Sequence, residues 1–180
     1  MMPNAAIASP TKLAHFVLRT PQYETLIKWW CKVLGAEVRF GSPFITFLAY
    51  DDEHHRLAIV NQPQMSDLDV TKGGVDHVAF TYPELDTLLG TWERLKAEGI
   101  EPYWSINHGP TTSLYYRDPD GNQVELQYDN FDDDEATAFF HSETFAANPI
   151  GVPFDPHILL EKLRAGEPLE RLVEQGSTAS

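Results

Sequence analysis

The sequence contains an internal repeat, which limits the chain to a fold made of two copies of one unit. A single shift aligns five pairs of residues: His15 with His77, Pro21 with Pro83, Thr25 with Thr87, Leu26 with Leu88 and Trp30 with Trp92. Each copy has the pattern of a strand followed by a helix, because apolar residues first alternate and then recur at helical spacing. The helix begins near the proline and ends at Gly35 or Gly99.

A short strand and a hairpin follow each predicted helix. The predicted strands are 36–40, 44–50 and 54–61 in the first copy, and 102–107, 111–117 and 122–128 in the second. The last hairpin turns at Asp118-Pro119-Asp120-Gly121, where proline presets φ and glycine tolerates positive φ. The sequence therefore predicts an α+β fold of two βαβββ modules, residues 10–62 and 75–129, joined through a linker at 62–74.

The remaining residues, 131–180, differ in character and are predicted to form a C-terminal extension that packs on the domain spanning 10–130. An acidic run at 130–135 is expected to lie on the solvated surface. Helices are predicted at 156–165 and around 169–173. The last residues, from Gln175 onward, are small and polar, and we expect them to be disordered.

The amino-acid composition limits the kinds of molecule that the protein can be expected to bind. The 180 residues carry a formal net charge of −14, which argues against a nucleic-acid or anionic-membrane partner, since both require a basic face. No stretch is long and apolar enough to predict a bilayer span, and the N-terminus lacks the apolar core of a signal peptide. The single cysteine, Cys31, suits a reducing cytosol, so we expect a cytoplasmic protein. The exposed sheet edges are compatible with a homo-oligomer.

Three polar residues stand out within the apolar runs: His15 in KLAHFVLRT, His77 in GVDHVAFTY and Glu125 in DGNQVELQY. Successive side chains of a strand point to opposite faces, so the apolar neighbours can pack on helices while these three residues face a cleft. Two imidazoles and one carboxylate form the ligand set of non-haem Fe(II) oxygenases. The pattern therefore predicts a metal site at His15, His77 and Glu125.

Paired βαβββ units with these three residues resemble the vicinal oxygen chelate superfamily, which includes glyoxalase I, extradiol dioxygenases and antibiotic-resistance proteins. The stretch INHGPTTSLYYRDPDGNQVE is similar to the extradiol ring-cleavage signature. The matching positions are His108, Leu114, Tyr115, Asp118, Pro119, Gly121 and Glu125. The whole chain resembles the one-domain type of class I extradiol dioxygenase, which cleaves catechol or biphenyl-2,3-diol rings.

The resemblance implies a catecholic substrate, with an aryl-substituted or fused ring, O₂ as co-substrate and Fe(II) as cofactor, although Mn(II) suits the same ligands. It also implies roles for three further residues. His55, in HHRLAIV, would be the acid/base, with its neighbour His54 as the alternative. Tyr115 would hydrogen-bond a substrate oxygen, and His108 would lie behind the metal ligands.

Ala58 separates the dioxygenase hypothesis from its alternatives. Laying one hairpin on the other places Ala58 where the second copy has Glu125. A glyoxalase-type isomerase or lyase is expected to have a fourth protein ligand there, and alanine cannot bind a metal. We therefore favour a dioxygenase with open metal positions. The alternatives are a glyoxalase-like metal-dependent isomerase or lyase, and a metal-free small-molecule binding or resistance protein.

Overall fold

The computed structural model describes residues 8–66 and 73–178. The chain divides into two compact units, Met1–Ser66 and Asp67–Ser180. Each unit contains one βαβββ module, and helices follow the second module, so the predicted α+β fold with two such modules is confirmed. The middle of the predicted linker, residues 67–72, lies outside the described residues.

In the first unit, one helix covers one face of a four-stranded sheet. The elements are β1 Phe16–Thr20, α1 Tyr23–Leu34, β2 Glu37–Gly41, β3 Ile45–Ala49 and β4 Leu57–Asn61. The strand order is β1-β4-β3-β2, with β1 parallel to β4. Helix α1 buries Leu26, Trp30 and Val33. It ends at Gly35, whose φ of 63° is the left-handed conformation that glycine adopts without strain.

The second unit repeats this arrangement with one additional strand. Its module consists of β5 His77–Tyr82, α2 Leu85–Ala97, β6 Trp104–Asn107, β7 Thr111–Arg117 and β8 Gln123–Asp129. The strand order is β5-β8-β7-β6-β9, where β9 comes from the C-terminal segment. Helix α2 buries Leu88, Leu89 and Leu95, which are completely shielded from solvent. The internal repeat in the sequence thus corresponds to a repeated supersecondary unit.

The predicted turn between β7 and β8 is stabilised by the side chain of Asp118. Its Oδ1 accepts hydrogen bonds from the backbone N–H of Asp120 at 3.0 Å and of Asn122 at 2.9 Å. Gly121 adopts a φ of 89°. This turn sets the register of the two strands and therefore determines which residue of β7 lies opposite Glu125.

The described part of the C-terminal segment, residues 131–178, forms four short helices and one strand. These elements are α3 Asp133–Phe140, α4 Glu143–Ala147, β9 Val152–Pro153, α5 Pro156–Arg164 and α6 Leu169–Leu172. Residues 132–135 of the acidic run are exposed, as predicted, and they also form the cap and first turn of α3, a helix that the sequence did not predict. Asp132 caps this helix, accepting from the backbone N–H of Glu135, and acidic residues in a first turn are favoured by the helix dipole.

Several contacts hold the C-terminal segment against the second module. Strand β9 pairs with β6, and Arg164 forms an ion pair with Glu93 of α2 at 2.7 Å. The prediction of a disordered end differs from the structure at residues 175–178, because Gln175 Nε2 donates to the carbonyl of Asn107 at 3.0 Å. Residues 179–180 lie outside the described part of the chain. Across 8–66 and 73–178, no helix has the length and apolar character needed to cross a bilayer.

Candidate functional site

His77 and Glu125 lie side by side on the sheet of the second unit. Strands β5 and β8 are parallel neighbours, and Ala79 lies opposite Glu125, so His77 and Glu125 share one face. Nε2 of His77 is 3.0 Å from Oε2 of Glu125. The glutamate is buried, with 5% of its surface exposed. The structure thus brings together two of the three predicted metal ligands in one unit.

Asp76 holds the other nitrogen of the His77 ring. Its Oδ2 lies 2.8 Å from Nδ1 of His77, and this hydrogen bond holds the pKa of the Asp76 carboxyl below its usual range. Gln123 Nε2 donates to the second carboxylate oxygen at 3.2 Å. When a neutral imidazole donates its Nδ1–H to Asp76, its Nε2 has no proton, and the lone pair of Nε2 faces the Glu125 carboxylate. A carboxylate behind a histidine is the usual support for a metal ligand.

This arrangement fits a divalent metal ion. A free imidazole nitrogen and a buried carboxylate oxygen at 3.0 Å are two electron-pair donors that need a cation or a proton between them. Nevertheless, neither residues 8–66 nor residues 73–178 gather three His, Cys, Asp or Glu side chains placed to hold a metal ion within their own unit. The pair supplies only part of the predicted ligand set.

Tyr115 completes this face of the second sheet. It lies opposite Glu125 in the β7–β8 register and is 6% exposed. Its ring meets the edge of the His77 ring at 5.3 Å between centroids and lies against Trp104 at 5.0 Å. Burial, together with the negative charge of Glu125, raises the pKa of Tyr115 well above its usual value. Tyr115 therefore keeps its proton at neutral pH and has a hydroxyl available for hydrogen bonding.

His108 lies in the connection between β6 and β7 and contacts Tyr115. Its Nε2 is 3.0 Å from the Tyr115 hydroxyl oxygen. Its Nδ1 is 2.5 Å from the backbone carbonyl oxygen of Ile150, in the C-terminal segment. The predicted residues His77, Glu125, Tyr115 and His108 thus form one continuous set of contacts.

The first unit contains the other predicted residues, His15 and His55. His15 is exposed and stands immediately before β1 rather than inside the strand as predicted. The two rings lie 4.3 Å apart between centroids, and His55 also stacks on Phe47 at 4.6 Å. Burial lowers the pKa of His55, and the neighbouring His15 and His54 lower it further. His55 can therefore accept a proton at neutral pH.

The position of His55 in the chain explains which way its side chain points. Simple alternation would place it on the wrong face of the strand, but β4 begins only at Leu57, so His55 precedes the regular strand. Its side chain reaches His15 from this irregular segment. The alternative residue, His54, is exposed and contacts His55. The contact with His15 favours His55 over His54.

The register of the two sheets shows that Ala58 occupies the position equivalent to Glu125. In each sheet, paired residues form a row that runs across four neighbouring strands. The row in the first sheet is Val17, Ala58, Phe47 and Phe40. The equivalent row in the second sheet is, in the same order, Ala79, Glu125, Tyr115 and Trp104. The row in the first unit is apolar, whereas the row in the second unit contains a carboxylate and a phenol. The first unit therefore has no acidic ligand at this position.

Three features of the site were missed by sequence reasoning. Asp76 could have been found, because an acidic residue directly before a predicted histidine ligand is a simple signal. Trp104 gave no signal beyond its place on a predicted strand. The contact of Ile150 with His108 could not be predicted, since it joins residues distant in sequence through a backbone carbonyl.

Comparison with known proteins gives a consistent result. A family model described as the Glyoxalase/Bleomycin resistance protein/Dioxygenase superfamily matches residues 12–126. The chain is 45% identical over 163 residues to biphenyl-2,3-diol 1,2-dioxygenase 2 of Rhodococcus globerulus, covering 89% of this chain and 86% of that protein. It is 44% identical over 164 residues to biphenyl-2,3-diol 1,2-dioxygenase 3 of the same organism, with the same coverage.

Solved structures share the fold. Lactoylglutathione lyase from Agrobacterium tumefaciens superposes with a TM-score of 0.54 at 19% identity, covering 67% of this chain and 96% of that one. The fosfomycin resistance protein FosX from Mesorhizobium loti superposes with a TM-score of 0.54 at 19% identity, covering 72% of this chain and 99% of that one. At these identities the similarity concerns the fold alone. The chain belongs to the Glyoxalase/Bleomycin resistance protein/Dioxygenase superfamily.

Proposed function

We propose that the protein is an extradiol dioxygenase, which inserts both atoms of O₂ into a catecholic ring and opens the ring beside the diol. The observation that carries this proposal is the 45% identity to a biphenyl-2,3-diol 1,2-dioxygenase over most of both chains. The contacts among His77, Glu125 and Tyr115 support it, because an imidazole, a carboxylate and a phenol lie together on one face of a sheet.

The proposed metal ligands are His15, His77 and Glu125, and the proposed metal is Fe(II), with Mn(II) as the alternative for the same ligand type. When bound, Fe(II) supplies the redox chemistry that allows O₂ to react with the aromatic ring. Asp76 orients His77 and keeps its Nε2 lone pair available toward the metal position. The buried Glu125 contributes a negative charge that favours a divalent cation.

The remaining residues are proposed to handle substrate and protons. His55, whose pKa is lowered by burial and by its histidine neighbours, accepts a proton from the catechol and returns it later. Tyr115 stays protonated and hydrogen-bonds a substrate oxygen. His108 holds the Tyr115 hydroxyl in place.

Ala58 is the observation that favours ring cleavage over the glyoxalase-like alternative. It occupies the position of Glu125 in the repeated register and offers no metal ligand. A site with three protein ligands keeps positions open for a chelating diol and for O₂, whereas a fourth protein ligand would fill one of them. A metal-free binding protein would not require the Asp76–His77–Glu125 chain of contacts.

We propose that the substrate is a catechol with an aryl substituent, since both curated relatives are named for biphenyl-2,3-diol. A cytoplasmic location is proposed because Cys31 is a free thiol. A homo-oligomer is proposed because β2 is a sheet-edge strand on which Val38 and Phe40 are 52% and 50% exposed.

The proposal is tested by O₂ uptake after anaerobic reconstitution with Fe(II), using a panel of catechols that includes 2,3-dihydroxybiphenyl. We expect metal-dependent uptake with formation of a yellow ring-opened product. His77→Ala and Glu125→Gln should each lower the rate by at least about 100-fold. Glu93→Gln is the matched control, because Glu93 is half-exposed and pairs with Arg164. Stoichiometric metal without O₂ uptake would support the isomerase alternative instead, and absence of metal binding would contradict the site.

A further inference from the structure

The C-terminal segment contains a tight turn, Asn148–Gly151, which is held in shape by the side chain of Asn148. Oδ1 of Asn148 accepts from the backbone N–H of Ile150 at 3.2 Å and of Gly151 at 3.1 Å. Nδ2 of Asn148 donates to the carbonyl of Gly151 at 2.7 Å. Three hydrogen bonds from one side chain therefore hold the turn in a single shape.

This turn is pressed against the end of β6. Gly151 has a φ of 107°, and a Cβ atom there would lie 2.2 Å from the backbone oxygen of Asn107. Asn107 pairs with Val152 in the β6–β9 register. Only glycine permits so close an approach of the two backbones. The approach places the carbonyl of Ile150 beside the residue that follows Asn107, which is His108.

The carbonyl of Ile150 determines which ring nitrogen of His108 carries the proton. A carbonyl oxygen can only accept a hydrogen bond, so the nitrogen 2.5 Å away, Nδ1, must be the donor. In the neutral ring, Nε2 is then an acceptor, and its partner at 3.0 Å is the Tyr115 hydroxyl. The Tyr115 hydroxyl has a second acceptor in the Glu125 carboxylate, so an unprotonated Nε2 of His108 competes with Glu125 for the one phenolic proton.

We propose that the Asn148–Gly151 turn is a positioning element that fixes the Nδ1–H tautomer of His108 and so presents an unprotonated Nε2 as a hydrogen-bond acceptor to the Tyr115 hydroxyl. Asn148 and Gly151 act through His108, and none of the three residues needs to touch the substrate. The catalytic consequence rests on the proposed dioxygenase function, whereas the tautomer of His108 does not.

The tautomer is measured by long-range ¹H–¹⁵N spectra of the histidine side chains in metal-free protein, with the His108 signals assigned by their loss in His108→Ala. We expect neutral His108 to carry its proton on Nδ1. Asn148→Ala should shift population toward the Nε2–H form, because the turn loses the acceptor for two of its N–H groups. Asn148→Asp should shift the tautomer less than Asn148→Ala, since a carboxylate oxygen accepts the same two hydrogen bonds but cannot donate to the carbonyl of Gly151.

Asn61→Ala is the matched control, because Asn61 also holds a backbone carbonyl, that of Pro43, but lies in the first unit. It should leave the His108 spectrum unchanged. Asn148 is exposed, so its variants should fold. A wild-type His108 that carries its proton on Nε2 would overturn the proposal, as would an unchanged tautomer in Asn148→Ala.

Kinetics then test the consequence for catalysis. In Fe(II)-reconstituted enzyme, Asn148→Ala should lower kcat/KM by about tenfold, within the range seen for residues that orient the groups around a metal site. Combining it with His108→Ala should cause no further loss beyond that of His108→Ala, because both changes interrupt the same chain of contacts. Additive losses would contradict the positioning role. An inactive wild type would refute the proposed function while leaving the tautomer result intact.

Discussion

Nε2 of His77 lies 3.0 Å from a carboxylate oxygen of Glu125, although the two residues belong to strands at opposite ends of the second module's sequence. The parallel pairing of β5 with β8 produces this contact. It is supported on one side by Asp76 and on the other by Tyr115. Metal binding and activity should therefore respond to substitutions of the residues that surround this pair.

Asp76→Asn should weaken metal binding without unfolding the protein. The amide has no negative charge to hold the Nδ1–H of His77, so the ring loses its orientation and its Nε2 becomes a poorer ligand. We expect the dissociation constant for Fe(II) or Mn(II) to rise by about 10- to 100-fold. Metal titration by calorimetry measures this change. Asp86→Asn, an exposed aspartate in the first turn of α2, is the control and should bind metal like the wild type.

Tyr115→Phe and Tyr116→Phe should differ in their effect on activity, although the residues are adjacent and each change removes one hydroxyl oxygen. Tyr115 hydrogen-bonds His108, so its phenylalanine variant should lose activity by about 10- to 100-fold, as for groups that hydrogen-bond around a metal site. The buried hydroxyl of Tyr116 has no hydrogen-bond partner among the described residues, so its variant should keep full activity. Steady-state O₂ uptake compares the two variants. Equal losses would show that the Tyr115 hydroxyl has no special role.

Tyr116 should also affect stability at alkaline pH. A tyrosine in the unfolded chain has a pKa of about 10, and burial raises the pKa of Tyr116 in the folded protein above this value. The unfolded chain therefore ionises first, so the contribution of Tyr116 to stability is present below pH of about 10 and is lost as pH rises further. Denaturant unfolding of wild type and Tyr116→Phe between neutral and alkaline pH measures this. The variant should lose less stability with rising pH, and identical slopes would contradict the prediction.

Ala58→Glu tests the proposal that ring cleavage requires a metal with only three protein ligands. Ala58 is the positional equivalent of Glu125 in the repeat, so the change gives both modules an acidic residue at this position, the pattern expected of a glyoxalase-like enzyme. We expect metal to be retained and O₂ uptake to fall at least about tenfold, as for other changes to a metal site. Because Ala58 is 2% exposed, the longer side chain should also destabilise the fold by about 1–3 kcal/mol.

Ala58→Gln controls for size, since glutamine has nearly the same volume but is a weaker ligand. A comparable loss of activity in both variants would indicate crowding rather than metal binding. Melting temperatures measured in parallel separate loss of stability from loss of function.

The repeat made most of the fold predictable. A shared alternation pattern identified β1 and β5, and the apolar spacing around Leu26 and Leu88 identified α1 and α2. Where the prediction differed, long-range contacts or local capping were responsible. Helix α3 was missed because its first turn is acidic, and such a run is equally typical of exposed loops.

Residues of the candidate site could be predicted where they lie on regular strands, whose side chains alternate between two faces. Residues that lie on irregular backbone were harder to predict. Glu125 and Tyr115 face each other because their strands pair in regular register, which the turn at Asp118 sets. His55 could not be oriented from alternation, because the position at which β4 begins depends on its pairing with β1 and β3. The contact between Ile150 and His108 requires the path of the whole C-terminal segment.

Cleavage of a catecholic ring by insertion of O₂ is tested most directly by mass spectrometry of the product that Fe(II)-reconstituted protein forms from 2,3-dihydroxybiphenyl under ¹⁸O₂. We predict a ring-opened product in which both atoms of one O₂ molecule are incorporated beside the former diol, with no such product from His77→Ala. An intact ring, or oxidation of the diol without incorporation of label, would contradict the account.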